Sequence, residues 1–268
     1  LKKKLTDHLD VFAKKAIDAV KKGYYNVKNA VSHESYSLKK AILECALVPV
    51  IAEIKPASPS IGVIRRYVEA SSMAMEMVRG GAVGLSVITM ATGFGGSLSN
   101  LAAARSAVKA PVLMKDFIVS QVQLEAAHRL GADAVLLIQG LFDRGYSELA
   151  VKDMVTTAHA LNLEVLLEAH DEREFKAALA TDADMVGINN RDLATLRVDL
   201  NVTRRILARH RCLGRPVISE SGISTVADLR YVIESGADAA LVGSSIMNAE
   251  NVYAKVQELA NMRGGVIL

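Results

Sequence analysis

Two short patterns alternate along the chain, four times each, and together they leave few folds open. The first is PVIAE from Pro49, PVLMK from Pro111, EVLLE from Glu164 and PVISE from Pro216, each closing on a charged residue at its fifth position. The second is GAVGLSVI from Gly81, GADAVLLI from Gly131, DADMVGIN from Asp182 and GADAALVG from Gly236. Each run has the length of a strand, and the stretches between them space their apolar residues as helices do. Eight such units in regular alternation are what a closed barrel of eight parallel strands requires. The predicted fold is therefore α/β, a single (β/α)8 TIM barrel over residues 1–268, with residues 1–47 as an N-terminal helical extension.

The same rhythm sets the expected elements. Strands are predicted at about Val83–Ile88, Val112–Lys115, Ala134–Ile138, Glu164–Glu168, Met185–Asn189, Val217–Ser221 and Ala239–Val242. Helices are predicted over Val68–Arg79, Leu98–Ala107, Ser120–Leu130, Ser147–Leu161, Glu172–Ala180, Val202–His210, Thr225–Ser235 and about Ala249–Met262. In the extension, Leu5, Leu9, Phe12, Ile17 and Val20 fall near helical spacing, with Lys3, Lys4, Lys14, Lys15, Lys21 and Lys22 mostly on other faces. That is a solvated amphipathic helix rather than a membrane-surface one. Ser37 is placed to cap a second helix, and the extension is expected to lie across one end of the barrel.

Alternate strands of such a barrel fill a common interior layer. Glu53, Lys115, Glu168 and Glu220 all end odd-numbered strands in equal register, so they should meet at the C-terminal mouth. Lys55 lies two residues beyond Glu53 and shares its face. An ordinary ion-pair network would perturb the same groups, but this many charged ends in one register favour a site. Lys115 and Glu168, facing across the layer, have the makings of a general acid and a general base.

Polar residues crowd the same mouth: Asn189, Asn190 and Arg191 after strand six, and Glu220, Ser221 and Gly222 at strand seven. SGIS from Ser221 and GSS from Gly243 follow strands seven and eight, where barrels commonly hold phosphate on backbone N–H groups. The GFGGS loop within Ala91–Ser97 lacks the Lys-Ser/Thr of a P-loop and reads better as a flexible active-site loop. His170, next to Asp171, is read as a loop or helix-cap residue, and His210 and Cys212 fall at the wrong end of the barrel for catalysis.

Composition narrows the function classes. An apolar share of 51% can fill a large core. A formal charge of +3, from 32 basic and 29 acidic residues, is too small to imply nucleic-acid binding and suits an anionic small molecule. Cys45 and Cys212 are the only cysteines and form no metal-binding spacing, so neither disulfides nor zinc are expected. No apolar run approaches a membrane span and no signal-peptide core is evident, so the expected location is cytoplasmic, with no membrane partner.

With these motifs in hand, the chain resembles the indole-3-glycerol-phosphate synthase family of tryptophan biosynthesis. The matching stretches are IAEIKPASPS (51–60), GGSLSNL (95–101), PVLMKDFIV (111–119), GADAVLLI (131–138), VGINNRDL (186–193), VISESGI (217–223) and LVGSSIM (241–247). The resemblance implies a carbon-carbon lyase of the carboxy-lyase type. Its substrate would be 1-(2-carboxyphenylamino)-1-deoxyribulose 5-phosphate, closed to indole-3-glycerol phosphate with loss of carbon dioxide and water.

No cofactor and no metal are implied; association with other enzymes of tryptophan biosynthesis is a further expectation. By motif, Lys115 would be the general acid, with Glu168 and Glu53 as acid–base groups. Lys55 would bind the substrate carboxylate or phosphate, and Ser58, Gly222, Gly243 and Ser244 would help hold phosphate. Asn189, Arg191, Glu220 and Ser221 would orient the substrate, and Phe117 and Leu193 would flank its ring. Ile61 and Met90 depart from the family pattern, which often has a basic and an acidic residue there.

The nearest enzymatic rival, phosphoribosylanthranilate isomerase, wants a Cys/Asp pair at strand ends, whereas Cys45 precedes the first strand. A non-catalytic phosphate-binding barrel would have lost Lys115 or Glu168.

Overall fold

The computed structural model describes residues 7–31, 33–210, 212 and 214–262, so the expected helical positions Lys3, Lys4 and Leu5 lie outside the described residues. Eight parallel strands close into one barrel: β1 (Val50–Ile54), β2 (Gly84–Ile88), β3 (Val112–Lys115), β4 (Ala134–Ile138), β5 (Glu164–Ala169), β6 (Met185–Asn189), β7 (Val217–Glu220) and β8 (Ala239–Val242). Each pairs with its sequence neighbours, and β8 pairs with β1 to seal the ring.

The alternation of side chains separates two cores. Val50, Ala52 and Ile54 point outward into the helical shell, while Ile51 joins Leu113, Leu166 and Ile218 inside the barrel. Both faces of the sheet are buried, which is why the strands read as continuous apolar runs. Glu53 stands opposite Ser86, Ile138 opposite Glu168 and Asn189 opposite Glu220. Along the ladder Glu53 leads through Ser86 to Leu113, and Glu168 through Gly187 to Ile218, each two residues short of the next charge; that stagger of the tilted strands brings the odd-strand charges to one level.

Helices fill most of the predicted intervals: α1 (His8–Lys21), α2 (Leu38–Leu43), α3 (Ala70–Arg79), α4 (Leu98–Ala107), α5 (Gln121–Arg129), α6 (Gln139–Asp143), α7 (Val151–Ala160), α8 (Glu172–Leu179), α9 (Asn201–Leu207), α10 (Val226–Glu234), α11 (Ser244–Asn248) and α12 (Val252–Ala260). Several differ from expectation. The last predicted helix starts late, at Val252, because Asn251 caps α12 by accepting from Ala254 N–H at 2.9 Å, and the short α11 directly after β8 was not expected. The short α6 directly continues β4, where no capping residue announces a helix. Glu69 starts α3 two residues later than expected, its carboxylate accepting from the Ser71 and Ser72 amides. Among the described residues, no helix is long and apolar enough to cross a membrane.

The extension occupies both ends of the barrel rather than one. Asp7 caps α1, which buries Leu9, Phe12, Ala13 and Ala16. Phe12 reaches the mouth, with its ring 5.1 Å from that of Phe117. Burial of Phe12 and Leu9 contributes roughly 1.5–3 kcal/mol each. The α2 helix plugs the opposite end, where Leu38 lies against Gly84 at the start of β2 and the Lys39 amide donates to Glu164 Oε2 at 3.0 Å.

Candidate active site

The site begins with strand parity at the mouth. Inward-facing Glu53 is followed two residues later by Lys55, whose Nζ lies 2.9 Å from Glu53 Oε1. β3 brings Lys115 to the middle of the layer, where its Nζ donates to Glu220 Oε2 at 2.6 Å and lies 3.5 Å from Glu53 Oε2. Glu168 completes the layer from β5. Glu53, Glu168 and Glu220 are all buried.

Charges this dry survive only in company. Burial alone would strip the Lys115 proton, but Glu220, Glu53 and Glu168 outweigh it and hold the ammonium charged far above the usual lysine range. Burial likewise opposes ionisation of Glu53, yet Lys55 and Lys115 keep its carboxyl below the usual range. Burial pushes Glu220 up and the nearby Glu168 adds to the push, against the pull of Lys115. For Glu168 burial is again opposed, here by His170 and Lys115, and the carboxyl is held down. Neighbouring carboxylates driven in opposite directions are the raw material of acid–base chemistry.

Room for these carboxylates comes from glycines on or just past the even strands. A β-carbon on Gly187 would collide with Glu220 Oε1, and one on Gly243 with Glu53 Oε1. Gly243 was expected to admit phosphate, and the same position also seats an acid–base candidate. Gly187→Ala and Gly243→Ala should each displace a carboxylate from Lys115 and lower kcat by roughly tenfold or more with the fold retained. Steady-state kinetics alongside circular dichroism checks this, and normal turnover in both variants would show that carboxylate placement is not critical.

Around the layer the cavity has two different walls. Phe117, Phe12 and Phe94 form an apolar corner with centroids 5.1 to 5.9 Å apart, joined by Leu193. Ser58, Asn189, Arg191, Ser221, Gly222, Gly243 and Ser244 line the polar side. Arg191 Nη1 donates to Ser60 Oγ at 3.0 Å and to the Leu196 carbonyl at 3.1 Å, which fixes its guanidinium. Ser221 turns the chain after β7 with φ 66°, a left-handed conformation that costs a non-glycine residue about 1–3 kcal/mol.

Each candidate catalytic or substrate-binding residue lines the cavity except Glu220. Glu220 was expected to orient the substrate, but it is fully buried and bonded to Lys115. Asn190 also lies behind the wall, where its Nδ2 donates to Ser219 Oγ and to the Glu220 carbonyl, both at 2.9 Å. The GFGGS loop is no phosphate cradle. Its Gly95 and Gly96 amides bond back to Ala91 and Met90, and the Phe94 carbonyl accepts from Ala57. Ile61 and Met90 put apolar side chains on the cavity rim.

Some participants have roles in the structure that the sequence reading does not assign them. His170 is not the helix cap; Asp171 is, accepting from the Glu174 amide at 2.7 Å. The ring of His170 instead faces Glu168, with Nε2 3.2 Å from Oε1. Its position two residues past Glu168 repeats the Glu53–Lys55 spacing, which was the available signal. Asp116, the residue beside Lys115, is anchored by accepting from Tyr25 Oη at 2.8 Å and Thr89 Oγ1 at 2.5 Å. No local pattern links Tyr25 to Asp116.

A family model described as indole-3-glycerol phosphate synthase matches residues 7–259. The indole-3-glycerol phosphate synthase of Methanocaldococcus jannaschii is 44% identical over 225 residues, 82% of either chain. That of Aromatoleum aromaticum is 46% identical over 198 residues, 74% of either chain. Among solved structures, thiamine phosphate pyrophosphorylase from Pyrococcus furiosus superposes with a TM-score of 0.61 at 20% identity, covering 84% of this chain and 100% of that one; this bears on fold alone. A match spanning the whole barrel, together with relatives of this identity, means that the chain belongs to the indole-3-glycerol phosphate synthase family.

Proposed function

We propose that the odd-strand layer divides the work of the family's reaction, which closes 1-(2-carboxyphenylamino)-1-deoxyribulose 5-phosphate to indole-3-glycerol phosphate. The observation that carries the reading is the Lys115 ammonium, held protonated by Glu220 and Glu53 at the floor of a cavity with one aromatic and one polar wall.

In this reading the anthranilate ring lies against Phe117 and Leu193, and the phosphate reaches Ser58, Gly222, Gly243 and Ser244. Asn189, Arg191 and Ser221 orient the chain between them, and Lys55 meets the substrate carboxylate or phosphate. The ring carbon bearing the carboxylate attacks the ketose carbonyl, and Lys115 gives the oxygen a proton as negative charge develops. Carbon dioxide then leaves, and the electron pair of the broken bond restores the aromatic ring.

Loss of water completes the indole. The new hydroxyl departs with a proton, and the five-membered ring loses one from carbon. Glu168, held ionised, is suited to take the carbon-bound proton. Glu53 bridges Lys55 and Lys115 and so can return protons to the lysines. One proton is consumed net. A cytoplasmic location and association with other enzymes of tryptophan biosynthesis complete the reading; they rest on the family alone.

Because an ammonium supplies the polarisation and rearomatisation drives decarboxylation, product should form after exhaustive chelation with no nucleotide or cofactor added. The chain contains no Trp, so the indole product stands out in fluorescence. Activity that returns only on adding a metal would sink this mechanism.

A further inference from the structure

We infer that His170 is a positioning residue, a cation clamped between Glu168 and Glu174 that keeps Glu168 ionised and aimed into the cavity. This rests on the reading of Glu168 as an acid–base group and extends it to a residue behind the cavity wall.

The clamp is built from three directions. His170 follows β5 on the inward face, with Nε2 3.2 Å from Glu168 Oε1 and Nδ1 3.2 Å from Glu174 Oε2. The first contact is poorly aligned for a hydrogen bond and so is chiefly electrostatic. The same Glu174 oxygen accepts the His170 backbone N–H at 2.9 Å, so ring and main chain are held by one carboxylate. Glu174 cannot drift, because its own amide is tied to Asp171 in the first turn of α8.

Both ring nitrogens face carboxylates, which accept and do not donate, so the ring suits the site only with a proton on each nitrogen. Other charged groups do not undo this. Lys115 also holds Glu168 down, the Glu220 carboxyl beside Glu168 is itself pushed up by burial, Arg173 lies 3.7 Å from Glu174 Oε1, and Asp192, in the loop after β6, is held down in part by the histidine charge. Burial opposes charging of the ring, but Glu168 and Glu174 outweigh it and raise His170 to about 10. His170 does not line the cavity, so it acts through Glu168 rather than on substrate.

The test is the pH profile of His170→Asn, which keeps a polar side chain and removes the cation. Without the cation the Glu168 carboxyl rises, so the acidic limb of kcat should move up by about one pH unit or more. Turnover should drop roughly tenfold near the acidic end and much less in mild alkali, with KM changed little. A folded His170→Asn protein with an unmoved acidic limb overturns the inference.

If that variant does not fold, nitrogen NMR of the parent decides. The His170 ring, assigned through bonds, should keep both protons from about pH 6 to 8.5, and a ring that titrates near the ordinary histidine value overturns the proposal. Glu168→Gln separates the two levels. If it retains turnover, the underlying reading of Glu168 fails; if it loses turnover while the His170→Asn limb stays put, only the clamp fails.

Discussion

The Lys115→Met variant is expected to fold, to bind a phosphate-bearing product analogue much as the parent does, and to turn over roughly 10²-fold or more slowly. Methionine keeps a comparable stem and removes the ammonium. That ammonium touches Glu220 and Glu53 in the resting layer, and in the proposed reaction it meets the carbonyl oxygen only as negative charge develops there. An interaction strengthened in the transition state affects kcat before it affects binding. The proposed phosphate wall, on Ser58, Gly222, Gly243 and Ser244, is left alone. Removing the cation also leaves three buried carboxylates around one vacated position, so at least one must take up a proton, which further disables the layer. Steady-state kinetics and direct binding, after circular dichroism confirms folding, make the comparison. Lost binding with persisting turnover would mean that Lys115 holds the substrate and does not promote the chemistry.

Glu168→Gln should cost between roughly 10² and 10⁴ in turnover. Glutamine keeps the shape and can still accept from neighbours, but it cannot take a proton. The expected loss is large because the site is arranged to keep this carboxyl ionised, with Lys115 on one side and His170 on the other. The fold should tolerate the change, since glutamine has nearly the volume of glutamate and leaves no cavity. A variant that keeps more than about a tenth of normal turnover would assign Glu168 to structure.

The barrel and its charged layer were legible because both are periodic. Glu53, Lys115, Glu168 and Glu220 sit at one place in four repeats, and register turns equal position into equal height. Parity also placed Lys55 beside Glu53. Past the end of β5 the same parity puts His170 beside Glu168, a placement that its neighbour Asp171, a plain cap residue, hides.

Exposure was harder to foresee. Nothing in PVISE says that Glu220 will sink out of the cavity; that depends on the bare backbone of Gly187 on the adjacent strand. The extension was hardest of all, since its anchors span large sequence separations. Tyr25 bonds to Asp116 and the Tyr36 amide to Asp133, pairings that no local pattern announces.

The two-ended course of that extension bears on how far the chain is modular. A barrel of repeated units invites the view that the minimal enzyme starts at β1 and that what precedes it is an ornament. Here a cut before Val48 would remove one wall of the aromatic corner and the plug beneath the strands together. It would also leave Asp116, beside Lys115, without its Tyr25 partner. The first fifty or so residues and the eight repeats are therefore one unit of exchange: a chimera that borrows the barrel from one relative and the leading segment from another must match at the ceiling, at the floor and at the Tyr25–Asp116 tie.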